Sequence, residues 1–231
     1  MLLEIKKQLQ KFKKSSVNAD RFFKTGAGEY AEHDRFIGVS VPDCRKIARE
    51  HYLLPLSDAK KLIRSKFNEE RLLALLILVN RYQKNKDEQQ IIYDFYFDHM
   101  NNINNWNLVD ASAHLIVGAH LFNKNKTVLE TLAKSSNLWE RRIAIVSTWY
   151  FIRQNKFEYT VKIAKILLND QHDLIHKSVG WMLREMGKKN QSTLVNFLEK
   201  YAHKMPRTML RYAIEKFPES ERKKYLKITK K

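Results

Sequence analysis

An all-helical fold assembled from stacked helix pairs is predicted by three observations. Apolar residues recur with helical spacing along nearly the whole chain, and helix breakers are scarce, with 6 Gly and 4 Pro in 231 residues. One short pattern also returns five times, at intervals that each hold one helix pair. No run alternates apolar and polar residues as a half-buried strand would. A hydrophobic content of 44% with 11% aromatics gives enough apolar surface for a packed core and excludes a disordered chain.

Leu2, Leu3, Ile5 and Leu9 mark a first amphipathic helix, ending near Ser15 and Ser16. A small helix is expected around Arg21, Phe22 and Phe23, then an irregular stretch from Thr25 to Tyr30. Pro42 reads as the first residue of a helix through Cys44 and Ile47, since a first-turn proline lacks only an N–H that would have no helical partner. Ser57 and Asp58 read as the cap of the next helix. Asn68-Glu69-Glu70 opens the most apolar helix, whose uninterrupted run from Leu72 to Val79 is far too short to span a bilayer and reads as buried. Further helices are predicted from about Glu88, Asn105, Thr127, Asn137, Glu158, Asp173, Gln191, Pro206 and Pro218.

Five of these helices align on a small residue: Ala74, Ala113, Ala144, Gly180 and Ala213, at spacings of 39, 31, 36 and 33. Such spacing is the signature of paired-helix repeats close to the HEAT class, which stack into a curved solenoid with a concave face. The expected organisation is a single helical-repeat domain over 1–231, with N-terminal helices and a loop over 1–55 and the paired repeats over 56–231.

Lys and Arg number 43 against 25 Asp and Glu, a net charge of +18, and such a field attracts polyanions. Nucleic acid is the expected partner, through a basic concave groove; no helix joins a basic face to exposed aromatics as a membrane-surface helix would. Cys44 stands alone, which excludes a disulfide framework and a cysteine zinc site and suits a reducing cytoplasm. The start MLLEIKKQLQ mixes charges into its apolar residues and lacks the hydrophobic stretch of a secretory signal.

Three residues before the small position, the repeats read Arg71, Asp110, Arg141, Lys177 and Leu210; two before it they read Leu72, Ala111, Arg142, Ser178 and Arg211. One acid stands in an otherwise basic stripe. Three of the four tryptophans, Trp106, Trp139 and Trp181, occupy similar places beside a charged residue, whereas Trp149 falls late in its helix and reads as core. Trp106 and Asp110 are four apart and share a helix face. Arg142 offers a planar fork suited to two phosphate oxygens, while Asp110 would repel a phosphate and therefore needs a positive target. A cationic base or sugar supplies one.

WNLVD, the Trp139-x-x-Arg142 pattern and KSVGWMLRE resemble the AlkD-type DNA alkylation repair proteins, HEAT-like DNA glycosylases that remove cationic purines such as 3-methyladenine and 7-methylguanine. The likeness runs from about Phe22 to the C-terminus. It implies that Asp110 is catalytic, that Trp106 and Trp181 contact the sugar, and that Arg142 contacts a phosphate, with Phe22 or Phe23 in the place of a supporting N-terminal aromatic. Arg141, Lys177 and Arg211 join Arg142 as expected phosphate ligands. The implied protein is a monomeric, monofunctional enzyme of the bacterial cytosol, without cofactor or metal, acting on double-stranded DNA containing alkylated bases. The alternative is a noncatalytic relative that recognises branched or distorted DNA. Asp110 argues against it, because phosphate binding gains nothing from an acid.

Other signals are weaker. His172 and His176 are four apart but lack a third ligand nearby, and read as surface residues. Gly26-Ala27-Gly28 lacks the preceding strand and following Lys-Ser/Thr of a phosphate loop. Arg222-Lys223-Lys224 and Lys230-Lys231 read as a solvated basic end.

Overall fold

The apolar periodicity of the chain is realised as helices throughout the computed structural model, which describes residues 1–13 and 22–228. In order these are α1 (Leu2–Lys11), α2 (Val41–Glu50), α3 (Leu56–Ile63), α4 (Asn68–Lys84), α5 (Gln89–Asp98), α6 (Trp106–Ala113), α7 (Ala119–Leu121), α8 (Thr127–Ala133), α9 (Leu138–Arg153), α10 (Glu158–Ile166), α11 (Asp173–Lys189), α12 (Gln191–Tyr201), α13 (Arg207–Ala213) and α14 (Glu219–Leu226). A π-helical segment, His114–Gly118, joins α6 to α7. Among the described residues the only extended pairing is an isolated bridge between Arg35 and Phe67.

The starts follow the sequence closely, and the differences have local causes. Ser40 caps α2 by accepting from the Asp43 N–H, so Pro42 lies at the second helical position. α3 starts at Leu56 behind Pro55, with no side-chain cap, so Ser57 and Asp58 lie inside the helix. Phe22 and Phe23 form a turn and a bend where a small helix was expected. Arg21, Ser15, Ser16, Lys230 and Lys231 fall outside the described residues.

Packing divides the chain into two units, Met1–Ser112 and Ala113–Lys231. In the first unit α4 is the central helix, packed by α2, α3 and α5, and Leu72 through Val79 are all buried. Two buried acids tie the 22–40 segment to it. Glu69 accepts the N–H groups of Ile37, Gly38 and Val39, which Gly38 permits by adopting φ 92°. Asp34 pairs with Arg71 and accepts from Asn68 and Asn105. A buried carboxylate is tolerated only when its lone pairs are filled in this way.

In the second unit α11 packs on α9 and α13, and α9 packs on the π-helical segment. Close approach explains two glycines. A Cβ on Gly180 would lie 2.5 Å from the Met209 carbonyl oxygen on α13, and one on Gly118 would lie 2.2 Å from that of Ser147 on α9. Trp139 is buried in this unit and serves packing.

The corner that starts a repeat is built alike at α4, α9 and α11. Two residues before the cap, Ser65 Oγ, Ser135 Oγ and Asp170 Oδ1 accept the N–H of Phe67, Asn137 and His172, the three N-cap residues. Four residues after the cap, Arg71, Arg141 and His176 reach back to donate to the carbonyl oxygens of Ser65, Ser135 and Asp170, at 2.9, 3.0 and 2.5 Å. This staple gives partners to backbone carbonyls of the connecting turns. His172 also caps α11 through Nδ1, so the two histidines are half-buried corner residues and not surface groups.

Candidate active site

Helix α6 carries the acid and the first indole. Asn105 precedes it and accepts the Trp106 N–H at 2.7 Å through Oδ1. Trp106 and Asp110, one turn apart, are both half-buried. The Trp106 ring stacks on Phe23 (centroids 5.1 Å, planes 22° apart), and Phe23 stacks on Phe36 at 4.7 Å. Phe23 is therefore the aromatic the structure sets beside Trp106, while Phe22 is 63% exposed. On the interior side lies Tyr96, whose hydroxyl meets Ser112 Oγ at 3.2 Å. Burial raises the phenol pKa, the Ser112 bond lowers it, and the Asp110 charge raises it again, which places Asp110 within electrostatic reach of Tyr96. No motif in the sequence marks Tyr96; only three-dimensional packing reveals it.

The other predicted residues lie in the second unit. Arg142 is 5% exposed and donates to the Leu174 carbonyl at 2.6 Å. Arg141 is committed to Asp170 at 2.6 Å and to the carbonyls of Ser135 and Ser136. Lys177 forms an i,i+4 pair with Asp173, and Arg211 is exposed. Trp181 is half-buried and meets Trp149 edge-on at 4.9 Å; Trp149 in turn meets His114 at 4.4 Å. Trp149 is half-buried, not core as its position suggested, and the Arg153 guanidinium lies 5.0 Å from its ring centre.

Counting from the caps corrects the register read from the sequence. With Phe67, Asn105, Asn137, His172 and Pro206 as the residues preceding α4, α6, α9, α11 and α13, the successive intervals are 38, 32, 35 and 34. The fourth position is Arg71, Val109, Arg141, His176 and Leu210, and three of these are the staples. The fifth is Leu72, Asp110, Arg142, Lys177 and Arg211. The small-residue alignment lay one residue late at α6 and α11 and so mixed the two columns. Arg71, 3% exposed, and Arg141 are structural residues of the corner. The column holding Asp110 also holds Arg142, Lys177 and Arg211. The tryptophans are not equivalent in this register: Trp106 is first, Trp139 second and Trp181 ninth after the cap.

On α6, a half-buried acid stands one turn from an indole that stacks on Phe23, at the register position where α9, α11 and α13 carry cations. A family model described as "DNA alkylation repair enzyme" matches residues 5–217. The chain belongs to the DNA alkylation repair enzyme family. Membership places it in alkylation repair and implies DNA binding, on an all-α helical-repeat fold. A solved structure described as "Predicted DNA alkylation repair enzyme from Enterococcus faecalis" shares the fold at TM-score 0.66 and 16% identity, covering 90% of this chain and 98% of that one. The structure of smu.31 from Streptococcus mutans UA159 matches at TM-score 0.56 and 20% identity, covering 77% and 92%. No curated protein matches the chain.

The remaining signals are structural in this family member. The Gly26 and Gly28 N–H groups donate to Glu29 and Glu32, so carboxylates occupy the donors that a phosphate loop would offer. Cys44 is buried, and burial, with Glu69 and Asp43 nearby, pushes its thiol up to about 12, which makes it a poor nucleophile. No helix among the described residues is long and apolar enough to cross a membrane.

Proposed function

We propose that this protein is a DNA glycosylase that excises cationic alkylated purines, of the 3-methyladenine and 7-methylguanine type, from duplex DNA. The observation that carries this reading is Asp110 itself: half-buried, one turn from Trp106, at the register position where later repeats carry Arg142, Lys177 and Arg211, in a chain of the DNA alkylation repair family. Alkylation at a ring nitrogen leaves the purine positively charged and a good leaving group. Cleavage of its bond to the sugar then builds oxocarbenium character on the deoxyribose. Asp110 stabilises that cation and orients the attacking water. Unit charges about 4 Å apart at an effective dielectric near 20 interact by about 4 kcal/mol, about a thousandfold in rate. Trp106 and Trp181 add about 0.5–2 kcal/mol each through their ring faces and keep bulk water from the sugar.

Arg142, Lys177 and Arg211 hold the backbone. The Leu174 carbonyl holds the buried Arg142 guanidinium in one place, so its charge acts on the backbone from a fixed point. Arg141, engaged by Asp170, contributes field more than contact. The total suits an activated lesion and is too small for a neutral base, so the reading predicts selectivity for cationic adducts. The test is release of 7-methylguanine from methylated duplex DNA. Release by the wild type with loss in Asp110→Asn supports it; tight binding of a branched junction without any release overturns it.

A further inference from the structure

We infer that Asp34 is the positioning residue that sets the Trp106–Asp110 helix in place, an inference that rests on the glycosylase reading for its catalytic consequence. The Asp34 side chain is fully buried and lies far outside the matched motifs. Its Oδ2 accepts from Asn105 Nδ2 at 2.6 Å and from Asn68 Nδ2 at 2.9 Å; its Oδ1 faces Arg71, with His33 Nε2 at 3.3 Å. A carboxylate that only accepts forces the Asn105 amide to turn its NH2 toward it. The amide oxygen then points at the Trp106 N–H, where the 2.7 Å bond is found.

The residue on the other side of Trp106 is tied to the same acid. Asn107 Nδ2 donates to Asn68 Oδ1 at 2.6 Å, and Asn68 donates to Asp34. Both neighbours of Trp106 are therefore held by Asp34, one directly and one through Asn68. The ring that stacks on Trp106 belongs to Phe23, in the 22–40 segment that also carries Asp34. Asp34 touches none of the reacting atoms in the proposed chemistry. It fixes the angle of the indole and, four residues on, of Asp110. Displacement of a reacting group by about 1 Å costs on the order of a hundredfold in rate.

Two variants separate this role from general stability. Asp34→Asn removes the charge that orients Asn105. Asn105→Ser keeps a helix-capping hydroxyl but is too short to reach Asp34, so it also serves if Asp34→Asn fails to fold. Protein labelled with 5-fluorotryptophan, with one resonance assigned through Trp106→Phe, reports on the helix directly. Excision of 7-methylguanine reports on its consequence. The expected result is a shifted or broadened Trp106 resonance with the other indoles unmoved, and kcat lowered by about ten- to a hundredfold with KM within about twofold. An unmoved Trp106 resonance in a folded variant, or wild-type kcat, overturns the inference. So does a joint collapse of every indole signal in Asn105→Ser, which makes the network a folding element. If the wild type releases no base, the glycosylase reading falls alone, and the fluorine signal still decides the positioning.

Discussion

Asp110 carries a charge opposite to that of Arg142, Lys177 and Arg211 in its column, and its energetic effect follows from that contrast. Asp110→Asn keeps the side-chain shape and removes the charge. Excision in the variant should therefore fall by about a thousandfold, the equivalent of about 4 kcal/mol, while affinity for undamaged duplex, measured by fluorescence anisotropy, holds or tightens. An unchanged excision rate would remove the carboxylate from the mechanism. Asp110 was legible in the sequence because an acid among cations departs from its neighbours, and Trp106 because it stands one turn away. Asp34, Tyr96 and Phe36 were not, since a buried acid or phenol, or a half-buried phenyl ring, has no local pattern; their partners lie elsewhere in the chain. Trp149 misled for a related reason, since helical position predicts a face but not what covers it.

Helix starts were read well because caps and prolines act locally. The register between repeats was read less well, because a small residue can serve close packing at more than one place in a helix. Gly180 illustrates the demand, with the α13 backbone where its side chain would be. Gly180→Ala should destabilise the protein by about 1–3 kcal/mol, read as a lower urea midpoint at unchanged slope. The α11 cap makes a second, pH-dependent prediction. Burial holds the His172 pKa below its ordinary value, outweighing the opposing pull of Asp170. The unfolded chain then takes up the proton first, so stability is full above about pH 6.5 and declines as pH falls toward the lower folded value. His172→Asn retains a capping acceptor without titrating. Relative to this variant, the Tm of the wild type should drop as the buffer is taken below about pH 6.5; parallel curves would show that the cap is insensitive to protonation.

For the molecule as a whole, +18 measures attraction at a distance, whereas contact is measured by salt. Cations paired with carboxylates within the protein, Arg71, Arg81, Arg141 and Lys162 among them, are engaged away from phosphate, so the phosphate count should be much smaller than the number of Lys and Arg. Each phosphate contact contributes about 0.9 to the slope of log affinity against log salt. Arg211→Ala should lower that slope by about one, and a parallel salt dependence would take Arg211 out of the interface. The all-helical repeat fold itself was legible in the sequence, because periodicity and scarce breakers accumulate over the length of the chain. The corner motif sets a limit on how such a chain can change length. The fastener column and the column that holds Asp110 are adjacent in sequence, separated by about 100° around the helix axis. A single inserted residue just after the cap would turn a stapling arginine outward and carry its charged neighbour into the interior. Insertions and deletions should therefore be tolerated in the connectors and not in the first turns of α4, α9 and α11.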